Sequence, residues 1–140
     1  MRKKLYKSGC TLLLAAALSA PVSACPADAV RLVARAVAAE CPEASYGVQI
    51  ALAAVIFNRM EDPRFGDTAA QVVWSDGFLN CVRTGRIMIP PDPAVWDQVY
   101  SAVIHAAEGM DPTGGAVWYG STPFRGGVPC YADEGYVFYR

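Results

Sequence analysis

The chain has 140 residues, 54% of them hydrophobic, which suits one globular domain with a modest core and argues against intrinsic disorder. Once the basic start MRKKLYK is set aside, 8 basic side chains face 13 acidic ones, a net charge of −5 with His neutral. An acidic domain is a poor partner for a phosphate backbone, and the chain has no Walker-type glycine loop, so neither nucleic acid nor nucleotides are expected ligands.

Residues 1–24 combine that basic start with the apolar run TLLLAAALSAPVSA, which ends in small residues in the manner of a secretory signal peptide. The run is too short for a bilayer span of roughly 20 residues, and no later stretch replaces it. Residues 25–140 are therefore expected to form a single extracytoplasmic domain, secreted or held at the cell envelope, and monomeric. VSAC (22–25) has two readings: cleavage before Cys25, or a weak lipoprotein box that anchors the chain through an acylated Cys25. Cleavage leaves Cys25, Cys41, Cys81 and Cys130, an even set that allows two disulfides in three pairings, whereas acylation leaves three thiols. Parity favours secretion, as does the lack of a tether between Cys25 and the first helix.

Asp28 is placed to cap that helix, in which Val30, Val33, Ala34, Val37, Ala38 and Cys41 recur at helical spacing before Pro42 enforces a stop. Glu40 falls about 80° from the centre of the apolar stripe, on the shoulder between core and solvent. It also sits at a helix C-terminus, where the macrodipole disfavours negative charge. Ser45 then caps YGVQIALAAVIFNRM, apolar on nearly every side and so expected as the buried central helix. Asp67 or Thr68 caps a short helix over 67–74. Segment 75–93 shows no helical period and carries three prolines, and an irregular stretch of that length inside a domain points to function. Asp92 and Pro93 start a third long helix, with Val95, Trp96, Val99, Ala102, Val103 and Ala106 inward and Gly109 at its end. From Asp111 onward, AVWYG, GVPCY and YVFYR read as short strands between glycines.

The cysteines lack the short paired spacings of a zinc site, and His105 is the only histidine, so no metal or cofactor is expected. His105 shares the polar face of the third helix with Asp97, Ser101 and Glu108, and a solvated position is expected for it. No nucleophile elbow or cysteine-protease signature accompanies it. Carboxylates remain. Glycosidases use a carboxylic acid to protonate the glycosidic oxygen, and a partly apolar cleft keeps such an acid protonated nearer neutrality. Glu40 fits that description.

AVAAECPEASYGVQIALAAVIFNRMEDPRFGDTAAQVVW, followed by FLNCVRTGRI, AAEGMDPTGGAVWYG and YVFY, resembles the SleB-type cell wall hydrolases, the catalytic domain of spore-cortex-lytic enzymes, from about Asp28 to Tyr139. The most specific parts are the AE pair with Gln49, the ALAAVIFNR helix, PRF with Thr68, and DPTGGA. The resemblance implies an α+β, mainly helical, lysozyme-like domain similar to lytic transglycosylases, with a small antiparallel sheet near the C-terminus. It implies cleavage of the MurNAc–GlcNAc bond of peptidoglycan glycan strands, with Glu40 as the catalytic acid. Phe78, Asn80, Trp118 and Tyr119 are the expected sugar-binding residues, although alternation along a strand should send either Trp118 or Tyr119 into the core. Asn58 and Arg59 match the family's NR pair and are read as an anchor for the neighbouring loop.

A lytic transglycosylase needs one carboxyl group, whereas a hydrolytic muramidase ordinarily adds a second, roughly 5–5.5 Å or 6.5–9.5 Å away. Asp111, Asp133 and Glu134 are candidates for that second group, each with a turn or hairpin role as the competing reading. A non-catalytic glycan-binding domain and a disulfide-stabilised interaction module are the remaining alternatives. The sequence departs from the family at Ala44, where an acid is usual, at the Phe78-Leu79-Asn80 lead-in, and at Tyr136, where histidine is frequent. It leaves open whether the target is spore cortex or vegetative wall.

Overall fold

The computed structural model describes residues 25–121 and 126–140, so the expected signal peptide (1–24) lies outside the described residues. Helix α1 is Ala27–Glu40. Pro26 precedes it and no side chain caps it, so Asp28 sits in the first turn, where its charge suits the helix dipole. Helix α2, Tyr46–Glu61, begins under Ser45, whose hydroxyl accepts the Val48 N–H at 3.3 Å. Its run from Val48 to Ile56 is buried without a break, as expected of a helix that is apolar all round. Helix α3, Ala69–Val73, starts with a capping box in which Thr68 and Gln71 exchange side-chain-to-backbone bonds. Helix α5, Pro93–Ala107, starts where Asp92 accepts the Ala94 N–H at 2.8 Å. Val99, Ala102, Val103 and Ala106 are its buried stripe, with Val95 and Trp96 at the margin.

The 75–93 segment is not wholly irregular. It contains a one-turn helix α4, Asn80–Arg83, and a 3₁₀ turn, Arg86–Met88. These are too short for hydrophobic periodicity to register, and they are held from outside. Arg35 of α1 donates through Nε to Ile87 O at 2.7 Å and through Nη2 to Met88 O at 3.0 Å.

Helix α2 packs most extensively on α5, α1 also packs on α5, and α3 packs against both α1 and α2. The strands β1 (Trp118–Gly120), β2 (Pro129–Asp133) and β3 (Tyr136–Tyr139) form one antiparallel sheet in the order β1-β3-β2, with Tyr119 opposite Phe138. Phe138 is fully buried and joins the sheet to the helical core. The β2–β3 hairpin turns through Glu134 (φ 48) and Gly135 (φ 82), the left-handed pair that a tight hairpin turn requires. At Glu134 that conformation costs about 1 kcal/mol for a residue with a Cβ.

Asn58 and Arg59 tie the end of α2 to the approach to β1. Asn58 Nδ2 donates to Asp111 Oδ2 and to Ala116 O, both at 2.9 Å, and Arg59 Nε donates to Val117 O at 2.7 Å. Asp111 also accepts from Thr113 N, Thr113 Oγ1 and Gly115 N, which accounts for its place before the double glycine. Burial pushes its carboxyl up, but these donors outweigh burial and hold it below the usual carboxylate range.

The even cysteine count does not become cross-links among the described residues: Cys25, Cys41, Cys81 and Cys130 are all free thiols. Cys41 Sγ bonds to Val37 O, Cys81 Sγ to Ala36 O and Cys130 Sγ to Phe138 O, so each sulfur is turned to a backbone carbonyl. Burial, reinforced by the neighbouring Glu40 carboxylate, pushes Cys41 and Cys81 up to about 12. His105 is also not simply solvated. It is half-buried, and its Nδ1 lies 2.7 Å from the Tyr46 hydroxyl, which in turn meets Ser101 Oγ at 2.9 Å.

Asp111→Asn should destabilise the domain by about 2 kcal/mol at neutral pH, read from the urea midpoint, because an amide cannot accept from every donor gathered there. Asp111 titrates lower in the folded chain than in the unfolded one, so its stabilisation is complete above the ordinary carboxylate range. It is lost as the pH falls from that range through the lower folded value, and the variant should show a flatter acid limb in its stability curve. Thiol titration with peptide mapping should find Cys41 and Cys81 unreactive until the protein unfolds, with Cys25 and Cys130 reacting in the folded state.

Candidate active site

Glu40 is the last residue of α1, and its half-buried carboxyl group gathers donors from two distant segments. Asn80 N–H donates to Oε1 at 3.2 Å, Cys81 N–H to Oε2 at 2.6 Å, and the Tyr119 hydroxyl to Oε1 at 2.6 Å. The two amides open α4, whose N-cap residue Leu79 supplies no capping side chain of its own. Glu40 takes that place across space, satisfying donors that would otherwise be orphaned. The sequence suggested that a carboxylate at the end of α1 had no stabilising role. The structure corrects this, because the same carboxylate serves the N-terminus of a second helix.

Tyr119 leaves β1 toward Glu40, and Phe78 meets its ring edge-on at 5.9 Å between centroids. Burial, then the hydrogen bond to Glu40, pushes the tyrosine hydroxyl well above its ordinary value, so it stays a proton donor to the carboxylate. Trp118, on the opposite face of the strand, lies away from Glu40. It meets Phe65 at 5.3 Å and stacks on Arg59, whose guanidinium carbon is 4.5 Å from its ring, 4.4 Å from Phe65 and 3.5 Å from Phe78. Arg59 is thus a buried cation in an aromatic box, lowered to about 10 by burial.

Glu40, Phe78, Asn80 and Tyr119 line one open cleft of about 690 Å3 with Leu79 and Arg83. Of the residues expected at the site, the structure brings these four together and sends Trp118 to the Arg59 box. Glu134 and Tyr136, from the hairpin tip, close the far wall. Glu134 Oε2 accepts the Ser45 N–H at 2.6 Å and Asp133 Oδ2 the Ser45 hydroxyl at 3.2 Å, so the tip clamps the turn that follows Glu40. Gln49, fully buried, braces the same turn by donating to Cys41 O at 3.5 Å, and accepts from Gln98 at 2.9 Å. Sequence patterning did not single out Arg83 for the site. Its one available signal was its place in the irregular 75–93 segment, where its guanidinium bonds to Asn80 Oδ1. A hollow of about 520 Å3 lies at the C-terminal ends of α2 and α5, but its Asn58 and Asp111 are committed to the 111–116 loop.

The family described as Cell Wall Hydrolase matches residues 43–129. Curated relatives include the spore cortex-lytic enzymes of Halalkalibacterium halodurans, 37% identical over 90 residues, and of Bacillus subtilis, 34% identical over 90 residues. Each alignment covers 64% of this chain but only 26% and 28% of the respective relative, so the chain spans about a quarter of their length. Among solved structures, the catalytic domain of the Bacillus cereus SleB protein superposes with a TM-score of 0.72 at 27% identity, covering 82% of this chain and 91% of that one. The catalytic domain of the germination-specific lytic transglycosylase SleB from Bacillus anthracis gives 0.70 at 26%, covering 82% and 96%. The mainly helical fold with its small terminal sheet is therefore that of the SleB catalytic domain, and the chain belongs to the cell wall hydrolase family.

Proposed function

We propose that the domain cleaves the MurNAc–GlcNAc bond of peptidoglycan outside the cytoplasm as a lytic transglycosylase, with Glu40 as the one acid and base. The observation that carries this reading is the convergence of the Tyr119 hydroxyl and the Asn80 and Cys81 amides on a carboxyl group in the wall of an open cleft. In the first step the Glu40 carboxyl gives its proton to the glycosidic oxygen as the bond to the anomeric carbon breaks. The three donors then stabilise the carboxylate left behind. That carboxylate takes the proton of the muramic acid 6-hydroxyl as its oxygen attacks the anomeric carbon, closing a 1,6-anhydro ring without a water nucleophile. Phe78 and Tyr119 offer aromatic faces to sugar rings, and Asn80 and Arg83 offer polar groups along the wall.

Hydrolysis with the same acid is the second reading, and the observation in its favour is Glu134, a second carboxylate on the cleft wall. Its bond to Ser45 N–H supports a structural role instead.

Glu40→Gln should abolish the release of anhydro-muropeptides from purified sacculi while the circular dichroism spectrum stays native. Undiminished release by that variant would sink the proposal, and reducing-end products from the wild type would favour the hydrolase. Tyr119→Phe should slow turnover about 100-fold, the usual cost of removing one preorganised donor.

A further inference from the structure

The domain is acidic overall, yet three of its arginines, Arg86, Arg35 and Arg31, line a run of adjoining hollows. Arg86 shares a hollow with Glu40, Pro42, Ala44 and Tyr136, which adjoins the main cleft through Glu40, Glu134 and Tyr136. Arg86 is also part of the wall of the next depression, which holds Arg35, Ile89 and Pro91. Arg35 and Pro91 are shared in turn with a third, where Arg31 and Trp96 stand. Shared walls make these hollows one continuous strip leading away from Glu40, with Arg86, Arg35 and Arg31 in succession.

None of the three forms an ion pair among the described residues, where the salt bridge present is Arg64 with Asp62. Arg31 and Arg86 are exposed, and Arg35 is fixed in place by its bonds to Ile87 O and Met88 O, which leave the rest of its guanidinium fork unused. Two acids besides Glu40 share the walls. Glu134 is engaged with Ser45, and Glu43 is exposed at the outer edge. Ile89, 64% exposed, and the Pro90–Pro91 pair give the strip an apolar ledge beside its charges.

Neutral sugar rings have no use for a row of unpaired guanidinium groups, whereas a carboxylate is matched by the planar fork of arginine. We propose that this strip binds the carboxylate-bearing peptide branches of the glycan strand whose sugar backbone lies in the cleft, so that the domain prefers peptide-substituted strands to bare ones. The inference rests on the peptidoglycan reading above and names the substituent that the site selects.

The test compares two substrates, intact sacculi and the same sacculi stripped of peptides by an amidase, with the wild type, Arg31→Gln, and the Arg31→Gln/Arg86→Gln pair. The amidase leaves on each muramic acid only a lactyl carboxylate held beside the sugar ring. Wild type should cleave both and favour the intact material. The double variant should lose about tenfold in kcat/KM on intact sacculi, the loss expected from charge-assisted bonds partly screened by water, and keep its rate on stripped strands. Arg31→Gln, far along the strip from Glu40, should show a smaller loss of the same selectivity. Equal losses on both substrates, or a wild type indifferent to the peptides, would overturn the inference. So would a preference removed by hydrofluoric acid, which strips phosphate polymers and leaves peptides. A wild type that cleaves neither substrate refutes instead the peptidoglycan reading.

Discussion

The site depends on one carboxyl group that belongs at once to three segments. Glu40 ends α1, receives the first amides of α4, and takes the hydroxyl of Tyr119 from β1. Without it the short helix α4 would begin with unsatisfied N–H groups, and one wall of the cleft would lose its fixed point. The rest of the fold fixes the partners. Arg59 and Asn58 pin the chain leading into β1, so Tyr119 arrives at a set height. The Arg59 guanidinium also packs against Phe78, the residue on which Tyr119 rests. From the other side, the hairpin tip and Gln49 hold the turn that follows Glu40.

The long helices were legible because their signals are local. Ser45, Thr68 and Asp92 cap where capping chemistry predicts, and the unbroken apolar run of α2 is buried as its composition requires. The elements that patterning missed depend on distant partners. Helix α4 is a single turn whose cap is a side chain 40 residues away, and the 3₁₀ turn after it is held by Arg35 from α1. His105 follows the same logic: helical phase put it on the polar face, but a wheel drawn from one helix cannot show that Tyr46 packs beside it. Strand alternation, by contrast, put Trp118 and Tyr119 on opposite faces as expected, but it did not send either into the core: both stay half-buried, one in the Arg59 box and the other against Glu40.

Chemistry and stability are joined at Glu40 more closely than its sequence position suggested. Near a helix C-terminus the charge has no local support, yet across space it meets the N-terminus of α4, so the same carboxylate is both cap and candidate acid. Removing the side chain altogether would confound the two roles, whereas glutamine keeps one acceptor oxygen, which at the Oε1 place still serves Asn80 and Tyr119, and loses the acidic proton. The family match starts at residue 43, just after Glu40, so the link between this residue and the cleft rests on the geometry.

The departures from the family pattern acquire a place in the same geometry. Ala44 and Tyr136 are far apart in sequence but line one hollow, together with Glu40, Arg86 and Glu134. Where the resemblance leads one to expect an acid, Ala44 is a half-buried methyl group, and no carboxylate at that position offsets Arg86. Where histidine is frequent, Tyr136 presents a larger ring whose hydroxyl is held neutral, chiefly by burial and also by the acids beside it. Both changes leave the three donors on Glu40 untouched and alter the wall next to it. The hollow thus presents a methyl group and a tyrosine ring where it adjoins the arginine strip, so on the proposed reading the departures lie beside the peptide branches and not at the bond that is cut.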